Sequence, residues 1–196
     1  YMYESLLTGV LLTRAATRTH DPDTTWPRIE ACLNWLESTD FFTAPASSIY
    51  HDSYPSGLLD HCLRVYNNII DLWAVPKFAK CDITSMTICA LVHDWCKIGL
   101  YEPYMRNVKN DETGVWEKVP SYKRKTPSFI LGHGVSSMYM ASKFIHLSTE
   151  EACAIRWHMG RFNVCESEIN EFQEANERYP LVLMTQFADH LSITKY

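Results

Sequence analysis

The sequence predicts an all-α fold: a helical bundle with one small β-hairpin inserted near residues 104–122. Three observations carry that prediction. Apolar residues recur at helical spacing in six separate stretches. One segment alone switches to alternation around a polar turn. No repeat, low-complexity tract or Ser/Gly-rich linker divides the 196 residues, so one domain is expected, with residues 1–40 as an N-terminal helical extension and about residues 41–196 as its working core.

Each element follows from local chemistry. Residues 26–38 set Ile29, Cys32, Leu33 and Leu36 at helical spacing, with Pro27 in a first turn. Residues 57–73 line up Leu58, Cys62, Val65, Ile69 and Leu72, with His61 beside the stripe. Residues 82–99 are expected as one helix, opened by Asp82 as N-cap and closed by Gly99. The hairpin comes next: valines and aromatics flank the turn NDETG. Helices are then expected over residues 134–145, 149–159 and 179–196, the middle one capped by Thr149 with Glu150 and Glu151 in its first turn.

Composition narrows the function classes. The chain is 46% hydrophobic, as folded proteins are, yet its longest apolar runs are far below the roughly 20 residues a bilayer requires. The start has no basic region and carries Glu4, unlike a signal peptide. Tyr1 in place of Met leads us to expect residues before it. Seven cysteines, an odd number without C-x-x-C spacing, suit reduced thiols in a cytoplasmic protein and exclude a zinc ribbon. A net charge of −5 argues against a large nucleic-acid surface, although Lys118 and the run Lys123, Arg124, Lys125 form a local basic cluster.

Of eight histidines, His61, His93, His133 and His158 stand on or beside the expected helices among apolar neighbours. A buried imidazole needs a hydrogen-bond partner or a metal, and His93 is followed directly by Asp94. Imidazole suits first-row transition metals, and a carboxylate adds charge and can bridge two ions. Asp189, polar after the apolar run LVLM, is a candidate to close such a site, and the side chain of its neighbour His190 would point elsewhere. Lys97 lies three residues after Asp94, on the same helical face, where it could pair with Asp94 or hold an anionic group such as phosphate.

The ordered set His61, His93-Asp94 with Lys97, His133, His158 and Asp189 resembles the HD superfamily of metal-dependent phosphohydrolases, whose minimal pattern is H…HD…D. The extra histidines resemble its two-metal branch, which includes HD-GYP and cyclic-nucleotide phosphodiesterases. The stretch HDSYPSGLLDH (51–61) is similar to the opening motif of bacterial HD hydrolases and of the HD domain of certain 3′–5′ exoribonucleases, and LGHG (131–134) and AIRWHMG (154–160) are similar to the same group. The resemblance spans about residues 41–196 and implies an all-α fold. It implies one divalent ion on His61, His93, Asp94 and Asp189, and a second on Asp94, His133 and His158. The metal is any of Mn, Fe, Ni, Co, Zn or Mg.

The same resemblance implies a metal-activated hydroxide attacking phosphorus, with Asp94 and Lys97 as catalytic residues. Lys97 would also contact substrate phosphate, and His51, Arg156 and Lys123–Lys125 are further substrate contacts. The substrate class is a nucleotide, cyclic nucleotide or short oligonucleotide phosphoester. Absence of a GYP tripeptide speaks against cyclic di-GMP, and absence of an OB-type domain against processive RNA degradation. Two other readings stay open. One is a non-catalytic metal- or nucleotide-binding regulatory module. The other is a single-strand nuclease using Tyr104, Trp116 and Tyr122 as a stacking lip, although these aromatics are more readily expected to pin the hairpin to the core.

Overall fold

The computed structural model describes residues 2–16 and 22–193. Among the described residues there are eight α-helices: α1 (Met2–Ala16), α2 (Pro22–Glu37), α3 (Gly57–Leu72), α4 (Ile83–Val92), α5 (His133–Ser142), α6 (Thr149–Trp157), α7 (Ile169–Arg178) and α8 (Pro180–Ile193). Short 3-10 turns at Trp95–Lys97, Gly160–Asn163 and Glu166–Glu168 join some of them. Strands β1 (Tyr101–Lys109) and β2 (Trp116–Arg124) form the two-stranded antiparallel sheet.

The bundle is arranged around α4. Every residue from Ser85 to Val92 is buried, which explains why this stretch is apolar on all sides. Helices α1, α3, α5, α6 and α8 all pack against it. Asp82 starts the helix as expected, its carboxylate accepting from the Ser85 N–H at 2.8 Å. The core continues through α1 and α2, where Tyr3, Leu7, Cys32 and Leu36 are buried in the same cluster as Trp95 and Val92. No helix among the described residues is long and apolar enough to cross a membrane.

Several boundaries differ from the sequence expectation. The helix expected over 82–99 ends at Val92: His93 is its C-cap, Asp94 leaves helical geometry at φ −110°, ψ 16°, and a 3-10 turn follows. Two adjacent side chains on an unbroken helix diverge by about 100°; the break lets His93 and Asp94 face one centre. Gly99 then takes the left-handed conformation expected of a terminator, φ 69°. The cap of α6 is Ser148 rather than Thr149, because Ser148 has the extended backbone and Glu151 completes a capping box with it. Helix α2 begins at Pro22, so Pro27 falls inside it rather than in its first turn; one lost backbone bond is tolerated where Ile29, Cys32 and Leu36 anchor the helix to the core.

Helix α7 was not anticipated. Its sequence, INEFQEANER, is mostly polar; Ala175 is buried and Phe172 packs against the core. Of the last expected helix, residues 194–196 lie outside the described residues, as does His20. The hairpin is longer than residues 104–122, pairing Tyr101 with Arg124 through to Lys109 with Trp116. Pro103 and Pro120 are accommodated because both strands are edges. The expectation that its aromatics pin the hairpin to the core fails for Trp116, which is 67% exposed at the end of β2; with only two strands, no second layer covers it.

Candidate metal centre

Five helices deliver the predicted ligands to one place. His61 comes from the buried face of α3, His93 and Asp94 from the end of α4, His133 from the start of α5, His158 from the C-cap of α6 and Asp189 from α8. Four imidazoles form a chain, with ring centroids 5.2 Å apart for His61–His93, 5.0 Å for His93–His158 and 5.0 Å for His133–His158. His61, His93, Asp94 and His158 are all buried.

Two glycines make the approach possible. A Cβ on Gly134 would stand 2.2 Å from the Arg156 carbonyl oxygen, so only glycine lets α5 lie close enough to α6 to bring His133 beside His158. A Cβ on Gly57 would stand 2.0 Å from the Asp52 carbonyl oxygen, where the chain folds back on the start of α3. Asp52 and Ser56 in that loop hold positive φ angles of 48° and 68°.

Hydrogen bonds fix the protons on three of the rings. His93 Nδ1 lies 2.9 Å from the Ala90 carbonyl oxygen and His158 Nδ1 lies 2.7 Å from that of Ile155. A carbonyl only accepts, so both rings carry their proton on Nδ1. His61 Nδ1 lies 3.0 Å from Ser192 Oγ, whose own hydrogen goes to the Asp189 carbonyl oxygen at 2.7 Å, so His61 also donates from Nδ1. Each ring is left with a bare Nε2 lone pair aimed inward.

Those lone pairs meet other acceptors. His61 Nε2 is 3.1 Å from Asp94 Oδ2, 3.2 Å from Asp189 Oδ1 and 3.1 Å from His93 Nε2. His93 Nε2 is 3.5 Å from Asp94 Oδ2, and His158 Nε2 is 3.6 Å from Asp94 Oδ1. His158 Nε2 is buried without a hydrogen-bond partner. Acceptors converging on acceptors need a cation between them. A proton can serve: burial opposes the charged form of His61, but Asp189 and Asp94 outweigh it and raise its pKa above the ordinary histidine value. A divalent ion serves more sites at once, and the donor set, neutral imidazoles with ionised carboxylates, fits one.

The carboxylates are held ionised. Burial works against charge on Asp94, yet Lys97 and the surrounding imidazoles hold its pKa well below the usual carboxylate range. Asp189 is lowered in the same way, by His61, His93 and His158 against its burial. Asp94 presents one oxygen to each half of the cluster: Oδ2 faces His61 and His93, and Oδ1 faces His133 at 2.7 Å and His158.

The remaining predicted residues divide. Lys97 is buried, with Nζ 2.7 Å from Asp94 Oδ2, so the ion pair is formed, through the 3-10 turn rather than along an α-helical face. His51 stands over His61 with centroids 5.1 Å apart. Arg124 lines a cavity of about 610 Å³ that reaches His133. Arg156 pairs with Glu168 and stacks over Trp157 instead. Lys123 pairs with Glu102 at 2.8 Å on the exposed hairpin. His190 is exposed, as its place beside Asp189 implied.

Sequence reasoning missed two members. Asp52 takes an ion pair from Arg64 and a 3.2 Å contact from His51 Nδ1, and it groups with His51 and His61 as a possible ligand set. Cys96 groups with Asp94 and His133, its Sγ 3.2 Å from His133 Nδ1. Their nearness in sequence to His51 and Asp94 was visible; their direction was not. The chain matches no family model, and no match exists among the curated proteins or the solved structures, so its side chains alone carry the functional reading.

Proposed function

We propose that the protein is a metal-dependent phosphohydrolase of the HD type, cleaving a phosphoester of a nucleotide, cyclic nucleotide or short oligonucleotide. The observation that carries this reading is Asp94, whose two oxygens face separate groups of inward-pointing imidazole nitrogens. His61, His93, Asp94 and Asp189 would hold one divalent ion, and Asp94, His133 and His158 a second. Such ions supply Lewis acidity, lowering the pKa of water and offsetting charge on a phosphoryl group.

The chain's own groups do the rest. Ala90, Ile155 and Ser192 fix the tautomers that leave Nε2 free. Lys97 places a buried ammonium beside the cluster, where it neutralises Asp94 and can meet a phosphoryl oxygen. The cavity beside His133 supports the substrate class: its volume is in the range of small-molecule sites, Trp35 and Phe129 are among its lining, and Arg124 and Lys143 bring positive charge to it.

Hydrolysis of a panel of phosphomonoesters, diesters and cyclic nucleotides with added Mn²⁺, Co²⁺, Ni²⁺, Zn²⁺ or Mg²⁺ tests this. His93→Ala and Asp94→Asn are expected to lose about 10³-fold or more in kcat/KM, roughly 4 kcal/mol of transition-state stabilisation. Variant activity equal to wild type refutes the assignment. Metal-dependent stabilisation of about 3 kcal/mol at a hundredfold excess over Kd, with no turnover across the panel, would mark a binding module instead.

A further inference from the structure

The register of the hairpin sorts its side chains onto two faces. One face carries Met105, Lys109, Trp116, Lys118, Tyr122 and Arg124. The other carries Glu102, Tyr104, Glu117 and Lys123, with Ser121 buried among them and donating to the Ser48 carbonyl at 3.5 Å. The second face therefore meets the body of the protein, and the first looks to solvent. Met105 and Trp116 are exposed there, Tyr122 is half-buried, and nothing in the fold covers them.

Charge is sorted by the same register. The solvent face holds three cations, Lys109, Lys118 and Arg124, and no carboxylate. The one ion pair of the hairpin among the described residues, Lys123 with Glu102, lies on the opposite face. Asp111 and Glu112 belong to the turn beyond Lys109, at the far end of the ladder. Rings and cations alternate: Lys109 stands across from Trp116, Lys118 follows Trp116 by two residues, and Arg124 follows Tyr122 by two. At Arg124 this face runs into the cavity that His133 also lines. From Trp116 to Arg124 it extends on the order of 26 Å at the rise of a β-strand.

We propose that the solvent face of the hairpin is a binding track for a single-stranded oligonucleotide, leading it to the metal centre. Trp116 and Tyr122 would stack on bases, and Lys109, Lys118 and Arg124 would meet the phosphates between them. The proposal deepens the phosphohydrolase reading, on which it rests only for what happens to the strand once bound. Tyr104 and Lys123 take no part, because the register turns them to the other face. Duplex is a poor fit, since its bases are already stacked on one another. A second copy docked face to face would set cation against cation.

The test is fluorescence anisotropy of labelled oligothymidylate and oligouridylate of about ten nucleotides, long enough to follow the face into the cavity. The full chain is used with chelator present, so that binding is read without cleavage. Wild type should bind at least one of the two strands, and more tightly than a duplex of the same length. Trp116→Ala should weaken binding by roughly 10-fold; the side chain is exposed, so its loss leaves the fold intact. Lys109→Gln with Lys118→Gln should lower the slope of log affinity against log salt by about 1.4, the share of two phosphate contacts on a single strand. Lys77→Gln with Lys80→Gln, an equal charge loss on the exposed loop between α3 and α4, should leave the slope unchanged.

Absence of binding by wild type overturns the proposal, as does equal affinity for duplex or an equal effect of the Lys77 and Lys80 pair. A dimer of wild type that Trp116→Ala dissociates in sedimentation, without oligonucleotide binding, assigns the face to a second copy and also overturns it. Hydrolysis of mononucleotides by a chain that binds no strand removes this inference and leaves the phosphohydrolase reading standing. Binding with the expected variant pattern but no hydrolysis does the reverse.

Discussion

Asp94 and Lys97 show how much one residue's surroundings matter. An aspartate buried alone would be driven toward neutrality; here Lys97 and the imidazoles keep it ionised. The core thiols show the opposite case, burial that no nearby cation outweighs. Cys32 is pushed from 9.0 up to about 12 by burial alone, and Cys62, Cys89 and Tyr3 are raised well above their ordinary values, burial again the largest cause. A group raised on folding contributes stability that is complete below its unfolded pKa and lost as pH rises through its folded one. Stability should therefore hold up to about pH 9 and fall steadily toward pH 12, with Cys32 alone accounting for roughly 4 kcal/mol at the upper end. Denaturant midpoints of wild type and Cys32→Ala across that range check it, the alkaline slope being shallower in the variant. At pH 8, exposed Cys165 should be alkylated well before Cys32, Cys62 or Cys89.

Among the elements, helix approach decides whether the ligands meet. Gly134 and Gly9 both sit in helices without left-handed backbone, yet opposite outcomes are expected of them. An alanine methyl at Gly134 meets the Arg156 carbonyl, so Gly134→Ala must push α5 off α6 and separate His133 from His158. It should lower the melting temperature and weaken metal binding together. At Gly9, exposed and with nothing within 4 Å of an added methyl, Gly9→Ala should stabilise by about 0.5–1 kcal/mol and leave metal affinity unchanged. Thermal melts and metal titrations of the two variants separate packing at the site from helix propensity. The elements were unequally legible. α3 and α4 could be read because their stripe or apolar run is long, and α7 was missed because its stripe is short, only Ile169, Phe172 and Ala175 at three-residue spacing among charged and amide residues.

At the scale of the molecule, residues 1–40 do more than extend the fold. The Tyr3 hydroxyl donates to the Leu91 carbonyl at 2.7 Å and accepts from Trp95 Nε1 at 2.9 Å, tying α1 to both sides of the His93-Asp94 turn. Trp35 of α2 packs on Trp95 at 5.2 Å and forms part of the cavity wall. Deleting residues 1–40 would uncover Trp95, Phe41 and the buried face of α4, so the remaining chain should lose its cooperative unfolding transition by circular dichroism. Tyr3→Phe is the milder probe. It strands the buried Trp95 N–H and should cost about 1–3 kcal/mol, visible as a lower denaturant midpoint at unchanged m-value.

The sequence by itself determined the helical class, the hairpin, and the identity and order of the ligand-type residues, because periodicity, caps and residue chemistry are local properties. It also placed Asp189 rather than His190 toward the interior, since adjacent residues on a helix diverge. Only the tertiary structure decided that the helix stops at Val92, that Ala90, Ile155 and Ser192 orient the imidazoles, that Cys96 and Asp52 join the cluster, and that Arg156 and Lys123 face other partners. These depend on where a side chain points and on how closely two backbones approach. Both are set by contacts between residues far apart in the chain, such as the Gly134 surface against the Arg156 carbonyl, and no local pattern records them.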